Sequence, residues 1–340
     1  MSKSRSQAPG ASASRAPGED DVRHLKPPDR TRWDELVEQS PGASIFHTSA
    51  WASVWTSEWK GARWEALVLE DGSGYAAGLG AIVRPRGFWR TIDAMPYATH
   101  GGPIVRRGHP DPARARKALL QAFDRWTSGR RVLRSQLSWP AGRGEEFPDD
   151  LPHRESFTHV LPLARDYAAV AAEFAPSARR LVRQAEESGL SIRPAAGPDD
   201  VRQFTALATE TVRRRGGEPK PASLYERIAE LLGPAGLARY HLVTLGDETV
   251  AGSLHLFHEG VATSWLPVSR ASAWHLRPNN FLVAHILETL CGAGYLEYDF
   301  GASPPDADGL IRFKEGWGAV RRPVWIAERR SGLHRRLRGS

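Results

Sequence analysis

Two stretches of this 340-residue chain repeat one local pattern, and that repeat restricts the folds open to it. Residues 68–72 lead into 77–80, and residues 244–248 lead into 251–254. Each pair consists of an apolar run, a turn rich in Asp and Gly, and a second apolar run that begins Ala-Gly. The two Ala-Gly pairs are 174 residues apart. Apolar runs joined by such a turn predict a β-hairpin in each half.

The elements that follow each hairpin also repeat in order. Each hairpin is followed by another strand, then by a helix near 118–126 or 282–289, and then by a further strand. A supersecondary pattern that recurs in this way predicts a duplicated α/β (α+β) unit of about 150 residues. The expected division is a disordered leader over 1–28, domains over 29–163 and 164–328, and a basic tail over 329–340.

Composition narrows the class of protein and of partner. Apolar residues make up 41% of the chain, and it has no apolar run of about 18 residues, so no transmembrane helix is expected. The leader lacks the apolar segment of a secretory signal, which predicts a cytoplasmic protein. A single cysteine, Cys291, and the absence of histidines with ligand spacing predict no metal site. The net charge of +7 favours anionic partners, and the basic tail suggests a peripheral membrane contact.

The segment from Asp299 to Lys314 carries the residues best suited to chemistry. A predicted strand ends at Asp299, and a helix over 309–317 brings Lys314 back over that strand end, where α/β proteins bind ligands. Lysine is rare here, with six among 46 cationic residues, and its ammonium suits an oxyanion or a phosphate. The alternative is a surface lysine paired with Glu315 or Asp299. Asp299 itself fits a proton acceptor, an orienting group for Lys314, or a turn cap.

Two further positions fit an anionic ligand. Asn279 or Asn280 is expected to cap the helix over 280–291, with Arg277 beside its positive end. Arg179 and Arg183 lie four residues apart on one face of a predicted helix, where they suit a diphosphate or an RNA backbone. A solvated helix face is the alternative for this arginine pair.

Several segments, in this order, resemble the FemAB-like branch of the GNAT acyltransferase superfamily. They are Ile-Phe-His-Thr-Ser-Ala-Trp (45–51), Met-Pro-Tyr-Ala-Thr-His-Gly-Gly-Pro (95–103), the Arg-rich segment 177–190, Asn-Asn-Phe-Leu (279–282), Tyr-Asp-Phe-Gly (298–301) and Arg-Phe-Lys-Glu-Gly-Trp-Gly (312–318). The resemblance implies two tandem GNAT-like domains, each a mixed central sheet flanked by helices. It also implies that the family's Phe-Lys pair falls on Phe313 and Lys314, with Lys314 stabilising a tetrahedral oxyanion.

The resemblance further implies transfer of an acetyl or aminoacyl group onto an amine of a cell-envelope, peptidoglycan or polysaccharide precursor. The donor would be acyl-CoA or aminoacyl-tRNA as a co-substrate, with no tightly bound cofactor. The acceptor would be a small-molecule or lipid-linked amine. A tRNA would be a partner only if aminoacyl-tRNA is the donor, and DNA is not expected as a partner. A non-catalytic envelope-assembly or RNA-binding protein that keeps the fold is the alternative.

We expect the acceptor to lie between the two domains. The residues predicted to line this site are Tyr97, His100, Trp265 and the helix face of Arg179 and Arg183.

Overall fold

The computed structural model describes residues 21–97, 99–140 and 153–331. The amino-terminal half contains β1 (Arg23–Leu25), α1 (Arg30–Glu38), α2 (Ser49–Glu58), β2 (Arg63–Asp71), β3 (Gly74–Arg86), β4 (Trp89–Ala94), β5 (Ile104–Val105), α3 (Pro112–Thr127), β6 (Val132–Pro140) and β7 (Arg154–Pro162). A short 3₁₀ helix, Ile45–His47, precedes α2. Side chains fix the helix starts: Asp29 accepts from the backbone N–H of Arg32, and Thr48 accepts from that of Trp51.

The carboxy-terminal half repeats this order. It contains α4 (Tyr167–Ala172), α5 (Pro176–Glu186), β8 (Leu190–Pro194), α6 (Pro198–Arg214), α7 (Ala222–Leu232), β9 (Ala238–Leu245), β10 (Glu248–His258), β11 (Val261–Ser269), α8 (Pro278–Gly292), β12 (Glu297–Ala302), α9 (Asp308–Glu315) and β13 (Val320–Arg330). A second 3₁₀ helix, Ala271–Leu276, precedes α8. The predicted duplicated α/β architecture is confirmed.

The described strands form one continuous sheet in which the two halves exchange a strand. The order is β1-β2-β3-β4-β6-β13-β7-β12-β11-β10-β9-β8, with β5 beside β3. β7 follows β6 in the chain but pairs with β12 of the other half, and β13 follows β12 but pairs with β6. β7 and β13 also pair with each other. Each half contains one parallel pair, β4 with β6 and β11 with β12.

The helices cover both faces of this sheet. On one face α1, α2, α6 and α7 pack over a single core that runs across both halves. On the other face α3 covers one core, and α4, α5 and α8 cover another. Because side chains alternate between faces along a strand, a residue's position decides which of these layers it can reach.

The repeated glycines allow helices to pack closely on the sheet. A Cβ atom at Gly78 would lie 2.7 Å from the Trp33 ring of α1. A Cβ atom at Gly252 would lie 2.7 Å from the backbone oxygen of His241 and 3.3 Å from the Phe204 ring of α6. The repeat detected in the sequence therefore marks the place where an aromatic ring meets the sheet in each half.

The predicted termini need correction. Residues 23–25 of the expected leader form β1, which pairs with β2, because its backbone groups complete the edge of the sheet. Arg329 and Arg330 of the expected tail belong to β13 and pair with Ser135 and Arg134. The rest of the predicted leader, 1–20, and of the tail, 332–340, lies outside the described residues. The boundary at residue 163 stays a prediction, and the pairing of β7 and β13 crosses it.

Candidate active site

An irregularity in β12 fixes the position of Asp299. The pairing of β12 with β7 shifts register between Asp299 and Ala302, and Gly301 has a φ of +76°, which favours glycine. The Asp299 Oδ1 accepts from the backbone N–H of Gly301 at 2.8 Å and from the hydroxyl of Thr158 on β7 at 2.5 Å. Tyr298 and Phe300 belong to the core under α8, so Asp299 faces the opposite layer, between the halves.

Lys314 reaches this bulge from α9. Its Nζ donates to the backbone oxygens of Gly301 at 2.6 Å and Ala302 at 3.1 Å, and its side chain is buried. The predicted alternative of a surface ion pair is wrong, because Lys314 is only 4% exposed and Glu315 pairs with Arg321. Burial lowers the pKa of Lys314 to about 8, with Arg215 adding to this effect and Asp299 opposing it.

His100 approaches the same carboxylate from the amino-terminal half. Its Nε2 lies 4.0 Å from Oδ2 of Asp299, and its ring meets the Phe46 ring edge-on at 5.9 Å. The Nδ1 atom is buried and has no hydrogen-bond partner among the described residues. Burial lowers the pKa of His100, although the nearby Asp299 opposes this, so the ring is neutral near pH 7.

Two glycines hold the loop that carries His100. The N–H of Gly101 donates to the backbone oxygen of Ser138 at 2.8 Å, and the buried His47 Nε2 lies 3.3 Å from that of Gly102. A Cβ atom at Gly101 would lie 2.0 Å from the backbone oxygen of Ala94, and one at Gly102 would lie 2.3 Å from the Trp139 ring. Only glycine fits at either position, so the loop presses against β4 and β6 and holds His100 in place.

Tyr97, Lys220 and Trp265 come together where the two halves meet, and we call this cluster the interhalf crevice. Ring contacts through Trp51 and Phe46 connect it to His100. The Lys220 Nζ lies 4.8 Å from the centre of the Tyr97 ring and 5.3 Å from that of Trp265. Tyr97 belongs to the His100 loop and Trp265 to β11. Burial lowers the pKa of Lys220. Sequence reasoning missed Lys220, although the scarcity of lysine in this chain was a signal that could have identified it.

The structure does not bring Arg179 and Arg183 to this crevice. They lie on α5, which packs with α8 on the other face of the sheet, whereas Trp265 packs on the core beneath α6 and α7. Arg179 donates to the backbone oxygen of Ala172 at 2.8 Å, and Arg183 is exposed. The arginine face therefore lies beside the start of α8, where Gln184 donates to the backbone oxygen of His275 at 3.3 Å.

The predicted asparagine cap of α8 is wrong. Pro278 is the first helical residue and Arg277, with a φ of +59°, is the N-cap, so Asn279 and Asn280 fall inside the first turn. Asn279 instead donates to the hydroxyl of Ser269 at 3.2 Å, and Asn280 is buried. Arg277 is exposed at the positive end of this helix.

Phe313 and Cys291, which the sequence analysis also singled out, belong to the core rather than to the group formed by Lys314, Asp299 and His100. Phe313 is half-buried against the Trp317 ring and packs on the core of the carboxy-terminal half. Cys291 is a buried free thiol in α8. In the ranges that the structure covers, no three His, Cys, Asp or Glu side chains come together as metal ligands.

No helix within those ranges is both long and apolar enough to cross a membrane.

The buried ammonium of Lys314 should make folding stability depend on pH. Its pKa is about 8 in the folded protein and about 10.4 in an unfolded chain, so the unfolded state binds more protons between these values. Below pH 8 the folded protein bears the full free-energy cost of burying the charge of Lys314, and this cost falls as the pH rises. From about pH 7 to about pH 9.5 the wild type should gain about 1–2 kcal/mol in unfolding free energy relative to Lys314→Met.

Urea unfolding of both proteins at the two pH values measures this difference. Comparison with Lys314→Met cancels the titration of all other groups. An equal pH response of the two proteins would show that Lys314 is not desolvated in the fold.

The chain is similar to known proteins in sequence and in fold. Residues 172–315 match the model of the acetyltransferase (GNAT) domain family. FemX is 15% identical with a TM-score of 0.65, over 89% of this chain and 96% of FemX. The C-terminal domain of a putative lysylphosphatidylglycerol synthetase from Agrobacterium fabrum is 14% identical with a TM-score of 0.54, over 89% of this chain and 92% of that one.

A tandem GNAT protein from the clavulanic acid biosynthesis pathway is also similar, at 13% identity and a TM-score of 0.51, over 90% of this chain and 98% of that one. No curated protein sequence matches the chain. At these identities the structural similarities establish the fold, and the family model adds the type of domain. Residues 172–315 are therefore similar to a GNAT acetyltransferase domain, and the chain has a fold similar to that of FemX.

Proposed function

We propose that this protein is an N-acyltransferase that moves an acyl group from acyl-CoA to an amine of an anionic cell-envelope, peptidoglycan or polysaccharide precursor. The observation that carries the proposal is the convergence of Lys314, Asp299 and His100 beside the interhalf crevice. A buried ammonium, a fixed carboxylate and a neutral imidazole are the groups that acyl transfer to an amine requires.

Lys314 would stabilise the oxyanion. Two of its three N–H groups are held by the backbone oxygens of Gly301 and Ala302, which orients the third. When the amine attacks the donor carbonyl, a C–N bond forms and negative charge develops on the carbonyl oxygen. A hydrogen-bond donor that is already fixed and shielded from water, such as the Lys314 ammonium, stabilises this charge without having to reorganise.

His100 would accept the proton that the attacking amine loses. A neutral imidazole has a free lone pair, and the nearby Oδ2 of Asp299 would stabilise the imidazolium that forms. The tetrahedral intermediate then collapses, the C–S bond breaks, and the CoA thiolate takes up a proton. Asp299 would thus act through His100, a role that differs from the three expected from the sequence, which were to accept the proton itself, to orient Lys314 or to cap the turn.

The acceptor would lie in the interhalf crevice. Lys220 is partly buried over two rings, and no carboxylate of the described chain forms an ion pair with it. Arg215 at the end of α6 adds a second positive charge close to Lys314. Lys220 over the two rings and Arg215 near Lys314 favour an acceptor that carries a phosphate or carboxylate together with its amine.

The donor would lie at the start of α8. The positive end of this helix and the exposed Arg277 suit the pyrophosphate of acyl-CoA, with Asn279 and Asn280 shaping the first turn. Arg179 and Arg183 on the neighbouring α5 extend this positive surface. GNAT domains generally use acyl-CoA as a co-substrate, and nothing in the geometry favours aminoacyl-tRNA. The GNAT domain match weighs against the non-catalytic alternative, and a cytoplasmic location stays a prediction.

Loss of the Lys314 ammonium should reduce turnover. With acetyl-CoA as donor and a panel of amino sugars, nucleotide-linked amino sugars and peptidoglycan precursors, we expect wild-type protein to release CoA thiol with at least one acceptor. Lys314→Ala should lower kcat about 100- to 1,000-fold and leave both KM values nearly unchanged. Lys117→Ala, which removes an exposed lysine, is the control.

Two results would contradict these assignments. A kcat of Lys314→Ala within about threefold of wild type, less than 1 kcal/mol in activation free energy, would exclude the oxyanion role. Failure of wild-type protein to bind or consume acetyl-CoA would exclude it as donor, and aminoacyl transfer from charged tRNA would then be the next assay.

Removal of the His100 imidazole should change the pH profile. In wild type, kcat/KM should fall at low pH, below the ordinary histidine pKa, and fall again above about pH 8 as Lys314 loses its proton. The charged or titratable groups that face His100 are Asp299 on β12, Arg322 on β13 and His47. His100→Gln should lower kcat/KM about 100-fold and abolish the acidic limb.

His285→Gln, which changes an exposed histidine of α8, should keep the wild-type profile. Persistence of the acidic limb in His100→Gln would assign that limb to another group and remove His100 from the proton path.

Neutralising Lys220 should weaken acceptor binding and leave the chemical step intact. Lys220→Gln should raise KM for an anionic acceptor about tenfold, with kcat within about twofold, because a fixed charge pair is lost equally in the ground and transition states. Lys60→Gln, at an exposed position, is the control, and an uncharged analogue of the acceptor should show no change in KM. An equal effect on charged and uncharged acceptors would show that Lys220 only supports the fold of the crevice.

A further inference from the structure

The β3–β4 hairpin projects two aromatic side chains into solvent. Phe88 at the turn is 87% exposed and the adjacent Trp89 is 38% exposed, with their rings edge-to-face at 6.4 Å. Neither ring belongs to any of the cores. β3 extends beyond its partner β2 to reach this tip, since its last pairing with β2 is at Val83. Two large apolar groups at a projecting tip indicate a surface that a partner covers.

Arginine side chains surround this tip. Arg86 and Arg90 lie on the hairpin, and Arg130 and Arg131 lie on the adjoining turn, whose backbone oxygen at Arg131 accepts from the N–H of Arg90 at 2.9 Å. Residues 84–91 and 128–134 contain six arginines and no acidic residue. The nearby carboxylates are already paired, Asp93 with Arg134 and Glu328 with Arg330.

We propose that this hairpin docks on the surface of an anionic phospholipid bilayer. Tryptophan and phenylalanine favour the boundary between head groups and acyl chains, where Phe88 and Trp89 would insert. The arginines would contact lipid phosphates. Each would strengthen binding because the negative surface potential of the bilayer attracts its charge. The tip extends beyond β2 and leaves the Phe88 ring in solvent. This suits a deformable bilayer better than single-stranded RNA, whose bases need a stacking platform within a groove.

The same hairpin reaches the interhalf crevice. The guanidinium of Arg84 lies 4.3 Å from the Trp59 ring, and that ring lies 6.3 Å from the Tyr97 ring of the crevice. A docked hairpin would therefore hold the entrance of the crevice close to the membrane, where a lipid-linked amine could enter it. This last step rests on the proposed function, whereas the docking itself is independent of it.

Co-sedimentation of the full chain with vesicles tests the docking. We expect binding to vesicles of equimolar phosphatidylglycerol and phosphatidylcholine, and little binding to vesicles of phosphatidylcholine alone. The double variant Phe88→Ser/Trp89→Ser should weaken binding to the anionic vesicles at least tenfold. The triple variant Arg86→Gln/Arg130→Gln/Arg131→Gln should weaken it roughly fivefold per arginine removed.

Matched variants control for apolarity and net charge. Leu296→Ser removes another strongly exposed apolar side chain, and Arg107→Gln/Arg202→Gln/Arg227→Gln removes the same charge elsewhere on the surface; both should bind like wild type. Wild-type affinity in either hairpin variant, with native circular dichroism, would overturn the proposal. The proposal would also be overturned if the hairpin variants weakened binding of a single-stranded RNA oligomer and left binding of vesicles unchanged. Because no acyl transfer is measured, failure here leaves the proposed function untouched.

Discussion

The exchange of β7 and β13 between the two halves is the constraint on which the rest of the molecule depends. Each strand leaves the half that precedes it in the chain and completes the sheet of the other half. Their mutual pairing then joins two separate sheets into one. Because the backbone hydrogen bonds of both sheets run through this junction, neither half has a complete sheet alone, and the relative position of the halves is fixed. That fixed position allows a loop of the amino-terminal half to place His100 4.0 Å from Asp299 of the carboxy-terminal half.

The exchange also explains the unusual environment of Lys314. Thr158 of β7 holds Asp299, and the register shift between β7 and β12 exposes the backbone oxygens that Lys314 satisfies. An ammonium buried in this way destabilises the fold, and its two backbone contacts offset only part of that cost. A desolvated lysine beside a carboxylate is typical of a functional site rather than of a structural ion pair.

Much of the fold and the centre of the candidate site could be predicted from sequence. The repeat over the two hairpins predicted the duplicated unit, and the spacing from Asp299 to Lys314 predicted that a helix returns over a strand end. Both predictions rest on local patterns, in which the strand period, the turn residues and the helix position are set by neighbours in the chain. Other predictions failed because they depended on which face of the sheet an element covers. Arg179 and Arg183 share a helix face as expected, yet α5 lies on the layer opposite the crevice.

The sequence by itself determined the order of elements, the duplication and the reactive residue types, since each follows from local periodicity and side-chain chemistry. Only the tertiary structure decided which half donates which strand, because pairing between distant strands leaves no trace in local patterns. It also placed Lys220 between Tyr97 and Trp265, three residues that are far apart in the chain. The start of α8 shows the same limit on a smaller scale: Pro278 fits the first helical position, so the helix begins before the asparagines that the sequence favoured as its cap.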